Sequence, residues 1–342
     1  MALKLNTLVL LRPVLNSSCL WASNIQQLHL LYASPHTGAV TTRTATLHGF
    51  RENDTNVAVF TSDKRSTLNS YGYSPHPLAQ YLGWARELIT GSSTSPSQHH
   101  AKPVILSITA SKAEDLAQMI KDVQVLRDSL RNDSESFSDS LAIELNTSCP
   151  NIPSAPPPSY DLPSLRPHLD VLAAAARADP SLTIGLKLPP YPDVTRIRGV
   201  VDCLAEYTIH EPEGDRSPFA FLTCTNTLGG SVLFVGEIDA ASACPPLPTD
   251  LAPTAFALPT AVGGLGGERL HAIALGTVLG FTRALAAHPS PAVRAIKVIG
   301  VGGVKDRASA DRMRAAGASA VACATALGRE GVEVFEKIAF EG

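Results

Sequence analysis

The sequence predicts an α/β fold, a (β/α)8 TIM barrel with long inserted loops at the C-terminal face of the strands. Buried strands are short, rich in β-branched or aliphatic residues, and end in polar or glycine-containing turns. Eight segments fit this description: 9–16, 39–44, 103–109, 140–146, 182–187, 219–226, 296–302 and 320–325. Helical patterns separate most of them, at 77–89, 112–130, 164–178, 270–287 and 308–316. Strands that alternate with helices along one chain are typical of this barrel.

The composition supports one domain over residues 1–342 and excludes several partners. Hydrophobic residues make up 44% of the chain, enough for a large core. The 28 Lys and Arg residues against 31 Asp and Glu give a net charge of −3, which leaves no basic surplus for nucleic acid. No apolar run approaches the roughly 18 residues that span a bilayer, so no membrane insertion is expected. The six scattered cysteines predict free thiols in a reducing compartment.

Segments rich in Ser or Pro lie between these elements and are predicted to be the inserted loops. They cover residues 92–101, 132–138, 152–163 and 241–259. The segment 152–163 follows Cys149 closely, and we therefore predict that it forms a lid.

The active site of a barrel lies where its strands end, and polar residues cluster at these predicted ends. They are Asn16, Arg43, Asn146, Lys187, Asn226, Gly302 with Gly303, and Thr325. The run Ile299-Gly-Val-Gly-Gly-Val304 and Thr325 follow the last two strands, where barrels commonly bind phosphate. We therefore expect a phosphate site there.

Three residue types indicate the chemistry. Cys149 lies in a polar loop, where a nucleophile or a proton-abstracting base is plausible. Lys187 is either a Schiff-base nucleophile or a fixed positive charge beside an anionic cofactor, and the sequence alone leaves both open. The carboxamides of Asn69, Asn146, Asn151 and Asn226 suit a planar, pyrimidine-like ring with alternating C=O and N–H groups. No histidine falls at a strand end, so no metal is expected.

Ordered motifs along residues 11–340 resemble the class 1 dihydroorotate dehydrogenases, most closely the soluble, fumarate-type class 1A branch. The motifs are Ser34-Pro-His-Thr-Gly-Ala-Val-Thr-Thr-Arg43, Leu68-Asn-Ser-Tyr-Gly72, Glu144-Leu-Asn-Thr-Ser-Cys-Pro-Asn151, Lys187-Leu-Pro-Pro-Tyr191, Asn226-Thr-Leu-Gly-Gly230, Gly263-Gly-Leu-Gly-Gly267, Ile299-Gly-Val-Gly-Gly303 and Thr325-Ala-Leu-Gly-Arg-Glu-Gly331.

The resemblance implies an oxidoreductase acting on a CH–CH bond, with FMN as cofactor. Its reaction would be the oxidation of (S)-dihydroorotate to orotate in de novo pyrimidine biosynthesis. Cys149 would be the base that removes the C5 proton while hydride passes from C6 to flavin N5, with electrons then reaching fumarate. The family pattern also implies a cytoplasmic homodimer without an iron–sulfur subunit.

The same resemblance assigns the site residues, with Cys149 and Lys187 as the catalytic pair and Lys187 as the positive charge beside the flavin. It implies substrate binding by Arg43, Asn69, Tyr71, Gly72, Tyr73, Asn146, Asn151, Asn226 and Thr227. It implies cofactor binding by Ser18, Arg43, Thr44, Asn146, Lys187, Thr225, Gly266, Gly267, Gly302, Gly303, Ala324 and Thr325.

The chain departs from the family pattern at several positions. Arg43 stands where the family usually has lysine, and a guanidinium is bulkier and differently directed than an ammonium. Ala324 replaces a phosphate-loop glycine, which is tolerable if φ there is negative. Cys19 replaces a glycine near the flavin, and the last helix of the family is expected to be missing. These departures leave alternatives open: a paralogue for another dihydropyrimidine or an enone, a non-catalytic FMN-binding paralogue, and a Schiff-base aldolase using Lys187.

Overall fold

The chain folds into the predicted barrel, to which a small antiparallel sheet is added. The computed structural model describes residues 2–91, 101–152, 157–248 and 251–339. Its strands are β1 (Leu3–Leu5), β2 (Leu8–Leu10), β3 (Val14–Asn16), β4 (Val40–Thr41), β5 (Ala58–Thr61), β6 (Ser66–Asn69), β7 (Val104–Ile108), β8 (Leu141–Asn146), β9 (Thr183–Leu188), β10 (Phe221–Cys224), β11 (Leu228–Ser231), β12 (Ile238–Cys244), β13 (Gly263–Gly267), β14 (Lys297–Val301) and β15 (Ala320–Cys323).

Eight of these strands form one parallel sheet in the order β3-β15-β14-β10-β9-β8-β7-β4. Each lies within or overlaps one of the eight segments predicted as strands, so the fold prediction is confirmed. These strands are buried along nearly their whole length and mostly apolar, as expected of a parallel sheet that is covered on both faces.

The helices are α1 (Ile25–Ala33), α2 (Leu78–Gly91), α3 (Ala113–Asp133), α4 (Glu135–Ser138), α5 (Leu162–Ala178), α6 (Val194–Ala205), α7 (His271–Ala287), α8 (Pro291–Arg294), α9 (Arg307–Ala315), α10 (Thr325–Glu330) and α11 (Val334–Ile338). The five predicted helices correspond to α2, α3, α5, α7 and α9. Helix α6 was not predicted, although it buries Ile197, Val201 and Leu204 at helical spacing.

Several predicted segments need correction. Segment 9–16 is not one strand: β2 pairs with β1 in an antiparallel hairpin, and only β3 joins the barrel. Pro13, which lacks an N–H group, lies between the two. Segment 132–138 is helical rather than a loop, and segment 241–259 begins inside β12. The parts of the loops 92–101 and 152–163 that cover residues 92–100 and 153–156 lie outside the described residues.

A five-stranded antiparallel sheet, in the order β11-β13-β6-β5-β12, was not predicted. Strand β13 pairs with β6, with Gly264 opposite Asn69 and Gly267 opposite Ser66. This sheet therefore brings the Asn69 and Gly267 segments together. Because β13 reads Gly-Gly-Leu-Gly-Gly and glycine is depleted in strands, local patterns gave no strand signal there.

One helical stretch, Glu268–Ala287, is long and apolar enough by length and composition to cross a membrane. This corrects the expectation that no part of the chain approaches that length. In the barrel the stretch includes α7, which packs against α6 and β14 and buries Ala274, Val278 and Phe281.

The barrel closes between β3 and β4 through a side chain. The backbone ladder there is a single parallel bridge between Leu15 and Ala39. The Asn16 carboxamide supplements it, because Oδ1 accepts the Thr41 N–H at 2.9 Å and Nδ2 donates to the Thr41 carbonyl at 2.6 Å. Asn16 ends β3 as predicted, but it is fully buried and does not line the cleft, so its role is structural.

Replacing Asn16 with alanine is expected to lower the free energy of unfolding by about 3 kcal/mol, because it leaves both Thr41 backbone groups without their buried partner. Urea denaturation measures the change. The control is Asn24→Ala, which removes the side-chain cap of α1 and should cost about 1 kcal/mol. Equal losses in the two variants would contradict a special role of Asn16 in closure.

Candidate active site

One cleft lies at the C-terminal ends of the barrel strands. Its volume is about 1190 Å³ including the open mouth, while ligand pockets commonly enclose about 300–1,000 Å³. Every residue that the sequence assigned to catalysis, substrate or cofactor lines this cleft. The structure thus brings these residues together, and the role of each remains a proposal.

A cluster of polar side chains forms one wall of the cleft. Asn146 ends β8 and donates from Nδ2 to Thr44 Oγ1 at 3.0 Å. Its Oδ1 accepts from the Ser148 hydroxyl at 3.1 Å and from Asn226 Nδ2 at 3.3 Å. Asn226 Oδ1 in turn accepts the Thr227 N–H at 2.8 Å. These bonds fix the orientation of both carboxamides before any ligand arrives.

A second amide contact joins the small sheet to the Cys149 loop. Asn151 Nδ2 lies 2.9 Å from Asn69 Oδ1 and 2.8 Å from the Tyr71 carbonyl. Asn69 Nδ2 donates to the Gly264 carbonyl at 3.1 Å. Residues on both sides of the cleft are therefore held in one hydrogen-bonded unit.

Cys149 is a half-buried free thiol within the same cleft. Burial raises the pKa of this thiol above its ordinary value. The Asn151 backbone N–H and the positive charges of Lys187 and Arg43 act in the opposite direction. The thiolate is therefore costly to form, although its surroundings favour negative charge.

Lys187, near the end of β9, places a buried ammonium in the cleft. The side chain is 4% exposed, and Nζ donates to the Ser18 carbonyl at 3.1 Å. Within the described ranges, no carboxylate forms an ion pair with Lys187. Because a buried cation is stable only with polar or anionic partners, Lys187 is suited to an anionic ligand.

Glu144 lies two residues before Asn146 on the same face of β8 and is fully buried inside the barrel. Its Oε2 accepts from the Thr223 hydroxyl at 2.6 Å. Burial raises the pKa of this carboxyl, while Lys187 and Thr223 act to lower it. Burial therefore makes Glu144 a poorer counter-charge for Lys187 than an exposed carboxylate would be.

Backbone groups line the end of the cleft that was predicted to bind phosphate. Gly267, Gly302 and Gly303 all have positive φ, and a Cβ at Gly303 would lie 2.7 Å from the His271 Cβ. Within the described chain, the N–H groups of Gly303 and Ala324 find no acceptor. Ala324 has φ −131°, so the condition under which alanine is tolerated there is met.

Arg43 differs from Lys187 in having its charge compensated. It is 5% exposed, and Nη2 donates to Glu52 Oε1 at 2.6 Å and to the Tyr73 carbonyl at 2.9 Å. The guanidinium carbon lies 5.1 Å from the centre of the Tyr71 ring, within cation–π range. Cys19 also lines the cleft, and burial raises its pKa to about 11.

Sequence reasoning missed two residues behind the cleft. His271 Nδ1 lies 2.7 Å from the Gly302 carbonyl, and its Nε2 accepts from Arg312 Nε at 3.1 Å, so it supports the glycine loop. Glu52 is the ion-pair partner of Arg43. Both contacts link distant parts of the chain, and no local pattern marks them.

Comparison with known proteins agrees with this geometry. Residues 248–341 match the family model described as dihydroorotate dehydrogenase. A Trypanosoma cruzi protein named dihydroorotate dehydrogenase (fumarate) is 26% identical, with 99% of this chain and 91% of that protein covered. Saccharomyces paradoxus and Lachancea kluyveri proteins of the same name are 27% and 26% identical, each with 95% of this chain and 87% of the relative covered. The chain is therefore similar to dihydroorotate dehydrogenases along nearly its whole length.

The family model and the named relatives match different parts of this chain. The family model covers β13 and the elements from α7 to α11, which carry the glycine loop. The relatives extend the similarity to the earlier strands, which carry Arg43, Cys149 and Lys187. The cleft and nearly all of the barrel are thus within the region of similarity.

The raised pKa of Cys149 predicts slow alkylation. With iodoacetamide at neutral pH, we expect Cys149 to react about tenfold more slowly than the exposed Cys244, because burial and a raised pKa leave little accessible thiolate. Peptide mass spectrometry over time measures both rates in one sample. Equal rates would show that burial does not control this thiol.

Proposed function

We propose that this chain oxidises (S)-dihydroorotate to orotate, as a step of pyrimidine biosynthesis, with FMN as its cofactor. The observation that carries the proposal is the presence in one cleft of the Cys149 thiol, the buried Lys187 ammonium and a set of four carboxamides. The carboxamides belong to Asn69, Asn146, Asn151 and Asn226. The names of the Trypanosoma and yeast relatives support the same reaction.

The residues present fit a flavin mononucleotide at two separate points. The free N–H groups of Gly303 and Ala324 would hold the phosphate, since backbone N–H groups bind anions without a charged side chain. Lys187 would place its charge beside the ring system, where an electron-rich flavin needs a cation. When bound, FMN supplies the two-electron acceptor for the hydride that leaves C6 of the substrate.

The carboxamides would orient the substrate ring. In the described part of the chain, Asn151 Oδ1 accepts no hydrogen bond, and Asn69 Nδ2 and Asn146 Nδ2 each use one of their two hydrogens. One acceptor and two donors thus remain for a ring that alternates N–H and C=O groups. Because the carboxamides already hold one another in place, little ordering is required when the ring binds.

Cys149 would take the C5 proton. Its thiolate is the base, and the charges of Lys187 and Arg43 act to stabilise that thiolate against burial. Asn151, two residues later, fixes the loop through its contacts with Asn69 and Tyr71. The loop therefore holds Cys149 in place as proton acceptor.

We further propose fumarate as the electron acceptor, because the relatives in Trypanosoma cruzi and two yeasts are named as the fumarate type. A cytoplasmic homodimer that acts without an iron–sulfur subunit belongs to the same proposal.

An anaerobic visible spectrum tests the reaction directly. The purified FMN-loaded protein should lose its flavin absorbance when dihydroorotate is added. Cys149→Ala should retain FMN and bleach at least about a hundredfold more slowly, because general-base catalysis contributes about 10²–10⁴-fold. Cys203→Ala removes a buried thiol of α6 outside the cleft and should bleach like the wild type. Full-rate bleaching in Cys149→Ala would refute the base assignment.

The pH dependence follows from the raised pKa of Cys149. Since only the thiolate accepts the proton, flavin reduction should accelerate about tenfold per pH unit below that pKa and level off above it. The inflection should lie above the ordinary thiol value of 9.0. Stopped-flow absorbance of the half-reaction measures it. In Cys149→Ser the inflection should move to still higher pH. An inflection near neutrality in the wild type would contradict the role of burial.

A further inference from the structure

An ion pair between Arg43 and Glu52 lies beside the Tyr71–Tyr73 segment of the cleft. Arg43 lines the cleft, whereas Glu52 lies behind it and reaches Arg43 Nη2 at 2.6 Å. Both hydrogens of Nη2 are used, one by Glu52 and one by the Tyr73 carbonyl at 2.9 Å. Ser23 Oγ lies 3.4 Å from Nη1. The guanidinium is therefore held in one position by partners from the chain itself.

This pairing changes what Arg43 can do for a ligand. An unpaired guanidinium attracts a carboxylate strongly, and a bidentate contact uses two adjacent N–H groups. The Arg43 side chain is 6% exposed, and the Glu52 side chain that neutralises it is 30% exposed. A pair with so little water around it is screened weakly, so an approaching carboxylate meets the repulsion of Glu52 together with the attraction of Arg43.

We propose that Glu52 is a specificity-determining residue, which neutralises Arg43 so that the cleft binds uncharged dihydropyrimidines and pyrimidines alongside the carboxylated ring. The inference rests on the proposed function, because it concerns the ligands of the same site. The free carboxamide groups of Asn69, Asn146 and Asn151 would contact the N–H and C=O groups that both rings share. The charge balance of Arg43 and Glu52 then contributes to discrimination between the two rings.

Calorimetric titration of the FMN-loaded protein with orotate and with uracil tests this inference. Glu52→Gln keeps the shape of the side chain and removes its charge. It should tighten orotate binding about tenfold, because an unneutralised Arg43 then faces the carboxylate, and it should change uracil binding by less than about twofold. Glu52→Asp, which keeps the charge, should remain close to the wild type in the ratio of the two affinities.

Two further variants isolate the pair. Arg43→Gln combined with Glu52→Gln should lose the gain for orotate, because the gain requires the free guanidinium. Glu211→Gln is the matched control: Glu211 forms an ion pair with Arg216 at 2.8 Å, is 34% exposed and does not line the cleft. It should leave both affinities unchanged. An unchanged or lowered preference for orotate in Glu52→Gln overturns the proposal.

Titration with fumarate tests this proposal independently of the proposed function, because fumarate carries carboxylates without a pyrimidine ring. If neither pyrimidine binds to any variant, the proposed function fails. Tighter binding of fumarate by Glu52→Gln alone would still support the charge role of Glu52. Equal binding of fumarate by wild type and Glu52→Gln would overturn that role as well.

Discussion

The Asn16 carboxamide closes the barrel, and the cleft depends on that closure. Between β3 and β4 the backbone supplies a single bridge, and the two bonds from Asn16 to Thr41 act as an additional ladder pair. The residues that follow β3 and β4 are functional candidates. The Ser18 carbonyl accepts a hydrogen bond from Lys187 Nζ, and the Ser18 hydroxyl lies 3.0 Å from Thr44 Oγ1. An open barrel would separate these partners, because they come from opposite sides of the seam.

Closure brings two buried cations, Arg43 and Lys187, into one cleft, and their charges are compensated to different degrees. Arg43 is neutralised by Glu52, whereas Lys187 has the Ser18 carbonyl and a neighbouring Glu144 whose pKa is raised by burial. Of these two, Lys187 is therefore the better partner for an added negative charge. Because Lys187 also acts to lower the pKa of Cys149, one buried ammonium favours both an anionic cofactor and a thiolate.

The sequence predicts the parts of the structure that local patterns determine. The eight barrel strands were predictable because buried parallel strands are mostly apolar, and the polar residues at or near their ends then identified Asn146 and Lys187. Contacts between distant segments were not predictable in this way. Asn16 has the same local context as Asn146, and only its pairing with Thr41 makes it structural. Glu52 and His271 were missed for the same reason.

The small antiparallel sheet shows why part of the cleft is difficult to predict. Strand β13 is four-fifths glycine, a composition that argues against a strand when it is considered locally. Its glycines are required by close approach, since a Cβ at Gly264 would lie 2.2 Å from Thr227 Oγ1. Any larger residue would push β13 away from the barrel mouth, and Asn69, which is paired with Gly264, would move with it. The glycines of β13 give no strand signal in the sequence. The same glycines let the sheet approach closely enough to complete the cleft.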